Sequence, residues 1–226
     1  MERLAGKIAN YLTDELNFDN DKRDVIAYGF FAILHTILSV FLVIVFGLIF
    51  NVVVEALIIS FTTSILRRYS GGVHASTPGN CTAIGTVLCI GQTLIVRFAL
   101  WPILNVNLLI LLGAAAFLWC FYIINKLAPI DNPSKPIVKE EKRKRMKKLS
   151  FVILMSYLAI VCVNIAVYFF TASHKVTIYC LSIYAGMLWQ TFTLTKTGHK
   201  IFKGLDIFLS NILIFSERVL GNEKDK

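Results

Sequence analysis

The sequence has little charge for its length. Only 16% of the 226 residues are charged, whereas a typical soluble domain has about 25%. Hydrophobic residues make up 56% of the chain, and the mean hydropathy is +0.68. These residues form long continuous blocks, whereas the helices of a soluble protein alternate apolar and polar positions. The composition excludes an ordinary soluble domain and predicts an all-α fold, a polytopic helical bundle that is integral to a membrane.

The sequence also lacks cysteine pairs with metal-site spacing such as C-x-x-C. Its five cysteines are an odd number, and four of them lie inside apolar blocks, where cysteine behaves as a small hydrophobic residue. We therefore predict neither a disulfide framework nor a metal site, and no cofactor. Cys81 differs from the others because it ends a polar connection between two apolar blocks.

Six apolar blocks follow one another along the chain, and each is a candidate membrane-spanning helix. They cover residues 28–50, 52–66, 82–100, 103–125, 149–170 and 176–195. Since about 20 apolar residues cross the hydrocarbon, five blocks are long enough. The second block has only 15 residues, and it spans the membrane only if Asn51 and the stems of Arg67 and Arg68 extend it.

The Lys and Arg residues are distributed unevenly among the connections. Of the 23, all but Arg97 and Lys175 fall in the N-terminal stretch, in 67–81, in 126–148 or in the C-terminal stretch. Six crossings with both termini in the cytoplasm place these basic residues on one side, as the positive-inside rule requires. We therefore predict a multi-pass membrane protein whose termini and 67–81 loop are cytoplasmic. The +9 net charge then reflects topology and contact with anionic lipids, and we predict no nucleic-acid partner.

The whole chain, 1–226, is predicted to form a single membrane domain. Its predicted segments are an interfacial helix at 2–17, a first helical pair at 28–66, a cytoplasmic loop at 67–81, a second helical pair at 82–125, a basic cytoplasmic loop at 126–148, a third helical pair at 149–195 and a cytoplasmic tail at 196–226. Apolar residues recur at helical spacing near both ends, which is typical of helices lying on the membrane. In the tail these are Ile201, Leu205, Phe208, Ile212 and Phe215. A helix packed under the bundle is an equally good interpretation.

The 67–81 loop contains residue types that nucleophilic catalysis requires. His74 and Cys81 are seven positions apart, so on one straight helix they would stand about 10 Å apart, too far for a thiol–imidazole hydrogen bond. The pair Gly71-Gly72 and the Pro-Gly at 78–79 break the helix on both sides of His74. A turn between the two residues could therefore bring them into contact.

The predicted start of the next helix favours an anion at Cys81. Thr77 or Asn80 can cap that helix, and Cys81 then lies in its first turn, near unpaired N–H groups and the positive end of the helix dipole. Arg67 and Arg68 would add to that field. These conditions produce a thiolate nucleophile when an imidazole is nearby. A lone Cys and a lone His on a membrane loop are nevertheless more often incidental than catalytic, so the residues alone leave both interpretations open.

The string RRYSGGVHASTPGNC resembles the signature of the AgrB family, the membrane cysteine endopeptidases of bacterial peptide quorum sensing. The shared features are Arg67-Arg68, Gly71-Gly72, His74-Ala75 and Cys81, with six residues between the histidine and the cysteine. A second stretch, residues 128–137, resembles the proline- and lysine-containing loop between the family's fourth and fifth membrane segments. Length, hydropathy profile and basic loop also fit, so the resemblance covers nearly the whole chain.

The resemblance implies a reaction at the cytoplasmic face of the bacterial cell membrane. AgrB-like proteins remove the C-terminal tail of a short amphipathic precursor peptide of the AgrD type. Cys81 would attack the scissile carbonyl, with His74 as general base and then as general acid. A cysteine or serine of the peptide would displace the resulting thioester and close a thiolactone or lactone ring. The family also suggests a homodimer.

The resemblance also assigns supporting roles near the candidate nucleophile. Gly71 and Gly72 would shape the turn of the site. Arg67 and Arg68 either stop membrane transfer at the cytoplasmic face, or bind the acidic tail of the peptide and polarise the thiol. We favour the second interpretation because both belong to the matched signature.

Two other classes of function remain open from the sequence. A peptide exporter would need polar residues along several helices, and the apolar blocks are nearly devoid of these apart from Glu55 and Gln190. A structural or regulatory adaptor would use the glycine-rich loop only as a binding turn. We predict that Glu55 and Gln190 make structural hydrogen bonds, and that His35 is a packing residue with satisfied hydrogen bonds.

Overall fold

The computed structural model of the chain describes residues 2–16, 19–131 and 139–224, and it describes the side chains of these residues except at positions 2, 14, 20 and 213–224. Its helices are α1 (Glu2–Leu16), α2 (Asn20–Ile49), α3 (Val53–Ser70), α4 (Pro78–Leu94), α5 (Val106–Leu127), α6 (Glu140–Thr171), α7 (Lys175–Thr193) and α8 (Lys196–Lys224). A π-helical turn at Ile95–Leu100 continues α4. Among the described residues, extended pairing is limited to one isolated bridge between Gly71 and Ile130. The all-α prediction is confirmed.

Four of these helices are long and apolar enough to cross a membrane by length and composition. They are α2, α4 with its π-helical turn, α5 and α6. Two further helices, α3 and α7, cover the other predicted blocks but fall outside that group in the described chain. The structure therefore supports a multi-pass helical membrane protein, and the number of six crossings stays a prediction.

The two less apolar helices lie at the centre of the bundle. Helix α7 packs against α3, α4, α5, α6 and α8, and most of its side chains are buried. Its Gly186 lets α3 approach closely, since a Cβ there would stand 2.9 Å from the Ile59 carbonyl oxygen. The hydroxyl of Thr63 donates to the Gly186 carbonyl oxygen at 3.2 Å. Helices surrounded by protein can carry polar residues that a lipid-facing helix cannot, which explains their lower hydropathy.

Helix ends differ from the predicted segment boundaries on both sides of the 67–81 loop. Helix α3 continues through Arg67 and Arg68 to Ser70, and α4 begins at Pro78. The connection outside helices is therefore only residues 71–77. In the 126–148 segment, α5 ends at Leu127 and the basic run lies in the first turns of α6, while residues 132–138 lie outside the described residues.

Both end segments form helices in which several large apolar side chains are exposed. In α8, Ile201, Phe208 and Ile212 are exposed, whereas Phe202 and Asp206 on the other face are buried. In α1 the residues packed away from solvent are small, including Ala5 and Ala9, and Tyr11 is exposed. These exposed apolar faces suit contact with a membrane, and the interfacial location stays a prediction. Phe215 lies among the side chains that are not described.

Glu55 makes the structural contact expected of it, and its partner is charged. Its Oε1 lies 3.1 Å from Nη1 of Arg97, which is in the π-helical turn after α4. Arg97 in turn lies over the ring of Trp101, at 5.1 Å from the centroid. The Trp101 indole N–H donates to the Thr177 hydroxyl at 3.0 Å. This cluster joins α3, the end of α4 and α7 at the opposite end of α4 from Cys81.

Candidate active site

The residues of the 67–81 string lie where α3 ends and α4 begins. Gly71 follows α3 with a φ of 73°, a conformation that suits glycine. The N–H of Ile130 donates to the Ser70 carbonyl oxygen at 3.0 Å, and Gly71 pairs with Ile130 in the isolated bridge. A Cβ on Gly71 would collide with the carbonyl oxygen of Ile130. The 67–81 string is thus in direct contact with the described part, 128–131, of the second stretch singled out in the sequence.

Helix α7 fixes the same turn through Gln190. The Gln190 Nε2 group donates to the Ser70 hydroxyl at 3.0 Å and to the Gly71 carbonyl oxygen at 2.8 Å. The prediction that Gln190 bonds a neighbouring helix is confirmed. Gly72 also has a positive φ, of 144°, and a Cβ there would lie 3.3 Å from the Thr193 hydroxyl oxygen. The turn therefore has little freedom to move away from α7.

Cys81 lies at the end of the first turn of α4 and is half-buried. Of the two predicted caps, Thr77 is the one used: its hydroxyl oxygen accepts from the Asn80 N–H at 3.2 Å. The Cys81 N–H donates to the Thr77 carbonyl oxygen at 3.1 Å, so the helix has already begun at the cysteine. The thiol thus lies close to the positive end of the helix dipole.

Arg67 is the charged group next to Cys81. The charge of its guanidinium acts on the Cys81 side chain, and the two side chains line the same cleft. The guanidinium also lies over the ring of Phe202 in α8, at 5.8 Å from the centroid, and its Nη2 atom is buried without a hydrogen-bond partner among the described residues. A cation in this position stabilises a thiolate.

His74 lies in the 71–77 connection and is exposed over much of its surface, although its imidazole is partly desolvated. Desolvation of its imidazole, and secondly the charge of Arg67, lower the pKa of His74. The neutral imidazole, which a general base requires, is therefore favoured at neutral pH. Within the described chain no hydrogen bond joins His74 to Cys81, but the charge of Arg67 interacts with both side chains. The Cys81–His74 pair stays a prediction.

The two arginines of the string have different surroundings. Arg68 is exposed and lies over the ring of Tyr69, at 5.8 Å from the centroid, whereas Arg67 points toward Cys81. The same role was predicted for both arginines from the sequence, whereas in the structure their surroundings differ.

His35 of α2 lies beside the same part of α4. Its Nε2 atom is 2.9 Å from the hydroxyl of Thr82, the residue after Cys81, and its ring stacks on Phe31 at a centroid distance of 5.9 Å. The prediction of a packing residue with satisfied hydrogen bonds is confirmed. In the part of the chain that the structure describes, no three His, Cys, Asp or Glu side chains are grouped so that they could hold a metal ion.

Asp206 of α8 holds the connection and the start of α4 together, and it was not among the residues predicted to belong to the site. Its carboxylate accepts from the Ser76 N–H at 2.8 Å and from the Ser76 hydroxyl at 3.0 Å. It also accepts from the Asn80 side-chain amide at 2.9 Å, and that amide donates to the Ser210 hydroxyl at 2.8 Å. Burial raises the pKa of Asp206, but these hydrogen bonds outweigh it, and the net shift is downward.

The signal that could have identified Asp206 is its position on α8. Phe202, Asp206 and Ser210 recur every four residues, so they share one face of the helix. The apolar residues predicted to face the membrane lie on another face of α8, where Ile201, Phe208 and Ile212 are exposed. Because Asp206 is 126 positions from Asn80, its partner could not be inferred from local spacing.

The fold and the site together define a class: a multi-pass helical membrane protein with a half-buried cysteine beside an arginine at the start of a helix. The sequence profile described as "Accessory gene regulator B" (AgrB) matches residues 5–194. The chain belongs to this family, which places it in the bacterial accessory gene regulator quorum-sensing system. The matched part ends before α8, and so before Asp206.

Related proteins carry the same family name. A protein of Clostridium perfringens (strain SM101 / Type A), named as AgrB-like, is 38% identical over 213 residues, which are 94% of this chain and 100% of that protein. A second, from Clostridium perfringens (strain 13 / Type A), is 37% identical over the same length. An AgrB-like protein of Listeria innocua is 26% identical over 155 residues, which are 66% of this chain and 71% of that protein. No solved structure matches the chain.

The contact between Gly71 and Ile130 predicts that Gly71→Ala disrupts the site. The added methyl group meets a backbone oxygen at a residue with positive φ, so we expect a loss of about 2 kcal/mol or more. Thermal unfolding of the purified protein in detergent measures this loss. Gly79→Ala is the matched control, because a Cβ there meets nothing within 4 Å, and its unfolding temperature should stay equal or rise. Equal unfolding temperatures for both variants would contradict the assignment.

The hydrogen bonds of Asp206 predict that Asp206→Asn destabilises the protein at neutral pH by about 2 kcal/mol, since an amide cannot accept all three bonds. The pKa of Asp206 is lowered in the folded state. The ionised carboxylate therefore stabilises the folded protein at neutral pH. This contribution is lost as the pH falls through the folded-state pKa, which lies below the ordinary value of about 3.9. Unfolding curves of wild type and variant should therefore converge in acid. The control, Asp24→Asn, removes only an exposed 3.9 Å ion pair and should have little effect.

Proposed function

We propose that this protein is a membrane cysteine endopeptidase that removes the C-terminal tail of an AgrD-like quorum-sensing precursor through an acyl-enzyme thioester. The observation that carries the proposal is the position of Cys81, one turn into α4 and beside the charge of the Arg67 guanidinium. Membership of the family supports an AgrD-like precursor as substrate and the membrane as its location.

In the first half of the reaction, His74 accepts the proton of the Cys81 thiol and the sulfur attacks the scissile carbonyl carbon. The dipole of α4 and the charge of Arg67 stabilise the thiolate. When the tetrahedral intermediate collapses, the C–N bond breaks and His74 returns the proton to the leaving amine. The tail departs with a new amino terminus, and the remaining peptide is held as a thioester on Cys81.

In the second half, a cysteine thiol or serine hydroxyl of the peptide attacks the thioester while His74 accepts its proton. The C–S bond to Cys81 breaks, the thiolate leaves and is protonated, and the peptide closes as a thiolactone or lactone. Exchange of one thioester for another conserves bond energy provided that water does not hydrolyse the intermediate. The partial burial of Cys81 supports such exclusion of water.

The proposal also includes the location of the site and the residue that meets the acidic tail of the peptide. The 67–81 site and both termini face the cytoplasm of a bacterial cell, where Arg68 is available to an acidic peptide tail. The basic start of α6 contacts anionic lipid headgroups, and the protein acts as a homodimer.

The enzyme proposal predicts a covalent peptidyl adduct on Cys81. Purified protein in lipid is incubated with an AgrD-like peptide and followed by intact mass. We expect the wild type to gain the mass of the peptide without its tail, and Cys81→Ser and His74→Ala each to lose the adduct and the cleavage. Cys162→Ser is the matched control, because Cys162 is an exposed cysteine of α6, and it should behave as wild type.

The alternative, a non-enzymatic exporter or binding partner of a small signalling peptide, makes the opposite prediction. Cleavage that persists in Cys81→Ser, or an absence of adduct in the wild type, would reject the cysteine peptidase. Transport of the intact peptide by Cys81→Ser vesicles would then favour the exporter.

The lowered pKa of His74 predicts the acid limb of the pH profile. A general base must be deprotonated, so kcat/KM should fall only below about pH 6.5, the ordinary imidazole value. Arg67→Gln removes one of the two causes of the lowered pKa, and the acid limb should move to higher pH. Arg68→Gln serves as control, since Arg67 and not Arg68 lowers the pKa of His74, and it should leave the limb in place. An unchanged limb in Arg67→Gln would contradict the electrostatic role of Arg67.

A further inference from the structure

A cleft of about 230 Å³ extends from Cys81 into the bundle, away from the 71–77 connection. It lies between α2, α3 and α4, with Trp189 of α7 and Phe202 of α8 also in its wall. Its volume is below the roughly 300–1,000 Å³ of sites for drug-sized ligands, so it would hold a short stretch of residues and not a folded partner.

One face of α4 determines the length of the cleft. Cys81, Gly85 and Gln92 all line it, and they recur at the spacing of a single helix face. Cys81 and Gln92 are eleven positions apart, which corresponds to about 16 Å along the axis. An extended peptide rises about 3.3 Å per residue, so the lining face of α4 is as long as roughly five residues of extended chain, although the volume of the cleft encloses only part of such a segment.

The other two helices line the cleft with small and hydroxyl-bearing side chains. Helix α3 contributes Ser60, Thr63 and Ser64, and α2 contributes Ser39. From the sequence we described the apolar blocks as nearly devoid of polar residues. For this cleft that description was wrong, because the serine and threonine hydroxyl groups are gathered on the faces of α2 and α3 that line it. Among the described lining residues, Arg67 alone carries a permanent charge, so the cleft favours an uncharged segment.

Two groups lining the cleft are buried without a hydrogen-bond partner in the described chain. They are the Nη2 donor of Arg67 and the Oε1 acceptor of Gln92. Buried polar groups are normally paired. A peptide backbone in the cleft would supply what each requires, since every non-proline residue carries one carbonyl acceptor and one N–H donor.

From these observations, and resting on the proposed function, we propose that the cleft binds the segment of the precursor that precedes the scissile bond, in an extended and uncharged form. The acylated carbonyl must reach the Cys81 sulfur, which lies at the end of the cleft next to the 71–77 connection. The tail leaves from that end, so the segment that stays attached is the one that extends toward Gln92. Residues immediately before the scissile bond therefore determine which precursors are accepted.

Gly85 provides a direct test because it lines the cleft and a Cβ there would meet nothing within 4 Å. Gly85→Leu would fill open space with side chain. Gly91 is the matched control, since it is on the same helix and equally open but does not line the cleft. We expect the rate of adduct formation to fall about tenfold or more in Gly85→Leu and to stay unchanged in Gly91→Leu.

Alkylation of Cys81 by N-methylmaleimide distinguishes a blocked cleft from a damaged protein. Gly85→Leu should be alkylated at the wild-type rate, because the small reagent needs only the end of the cleft at Cys81, and Gly85 lies one helical turn further in. A wild-type rate of adduct formation in Gly85→Leu would overturn the proposal. Failure of the wild type itself to form an adduct would instead count against the proposed function.

Photo-crosslinking tests the same proposal without cleavage. Cys81→Ser protein in lipid is incubated with an AgrD-like peptide that carries a benzophenone side chain four residues before the scissile bond. We expect cross-links to the part of α4 between Gly85 and Gln92, and none there from a benzophenone placed in the tail. Cross-links from the tail to this part of α4, or none from the preceding segment, would overturn the proposal.

Discussion

The geometry of the site depends on one constraint: backbone polar groups at a helix break must find partners where water is scarce. The break between α3 and α4 leaves carbonyl and N–H groups of residues 70–76 outside any helix. Gln190 satisfies the Gly71 carbonyl, Ile130 satisfies the Ser70 carbonyl, and Asp206 satisfies the Ser76 N–H. These partners come from three separate parts of the chain, so the helices must pack correctly before the connection has a defined shape.

Local signals in the sequence predicted local structure well. The apolar blocks located the helices, Thr77 was one of two predicted caps and is the one used, and Gln190 was expected to bond a neighbouring helix. Each of these features is fixed by residues close in sequence or by hydropathy. The helix ends were less predictable, because Arg67 and Arg68 look like the start of a loop and are tolerated in the last turn of α3, where the helix dipole favours cations.

Other features could not be inferred because they depend on packing between distant segments. Asp206 is a single acid on an amphipathic helix, and only its contacts show its importance. The hydroxyl groups of the cleft are also inconspicuous, since serine and threonine in apolar helices commonly bond the carbonyl four residues earlier, as Ser39 does. The crossing number was underdetermined as well, because α7 is largely buried among other helices and α3 packs closely against it, so neither needs to be as apolar as a helix surrounded by lipid.

The position of α8 has a consequence for handling the protein outside the cell. One face of α8 holds Ser76 and Asn80 through Asp206, while Ile201, Phe208 and Ile212 on other faces are exposed. A detergent that competes for those apolar side chains would draw α8 away while leaving the packing of α3 against α7 intact. Such a preparation would keep its helical content by circular dichroism and still lack an ordered site, so the choice of solubilising agent enters directly into any measurement of its chemistry.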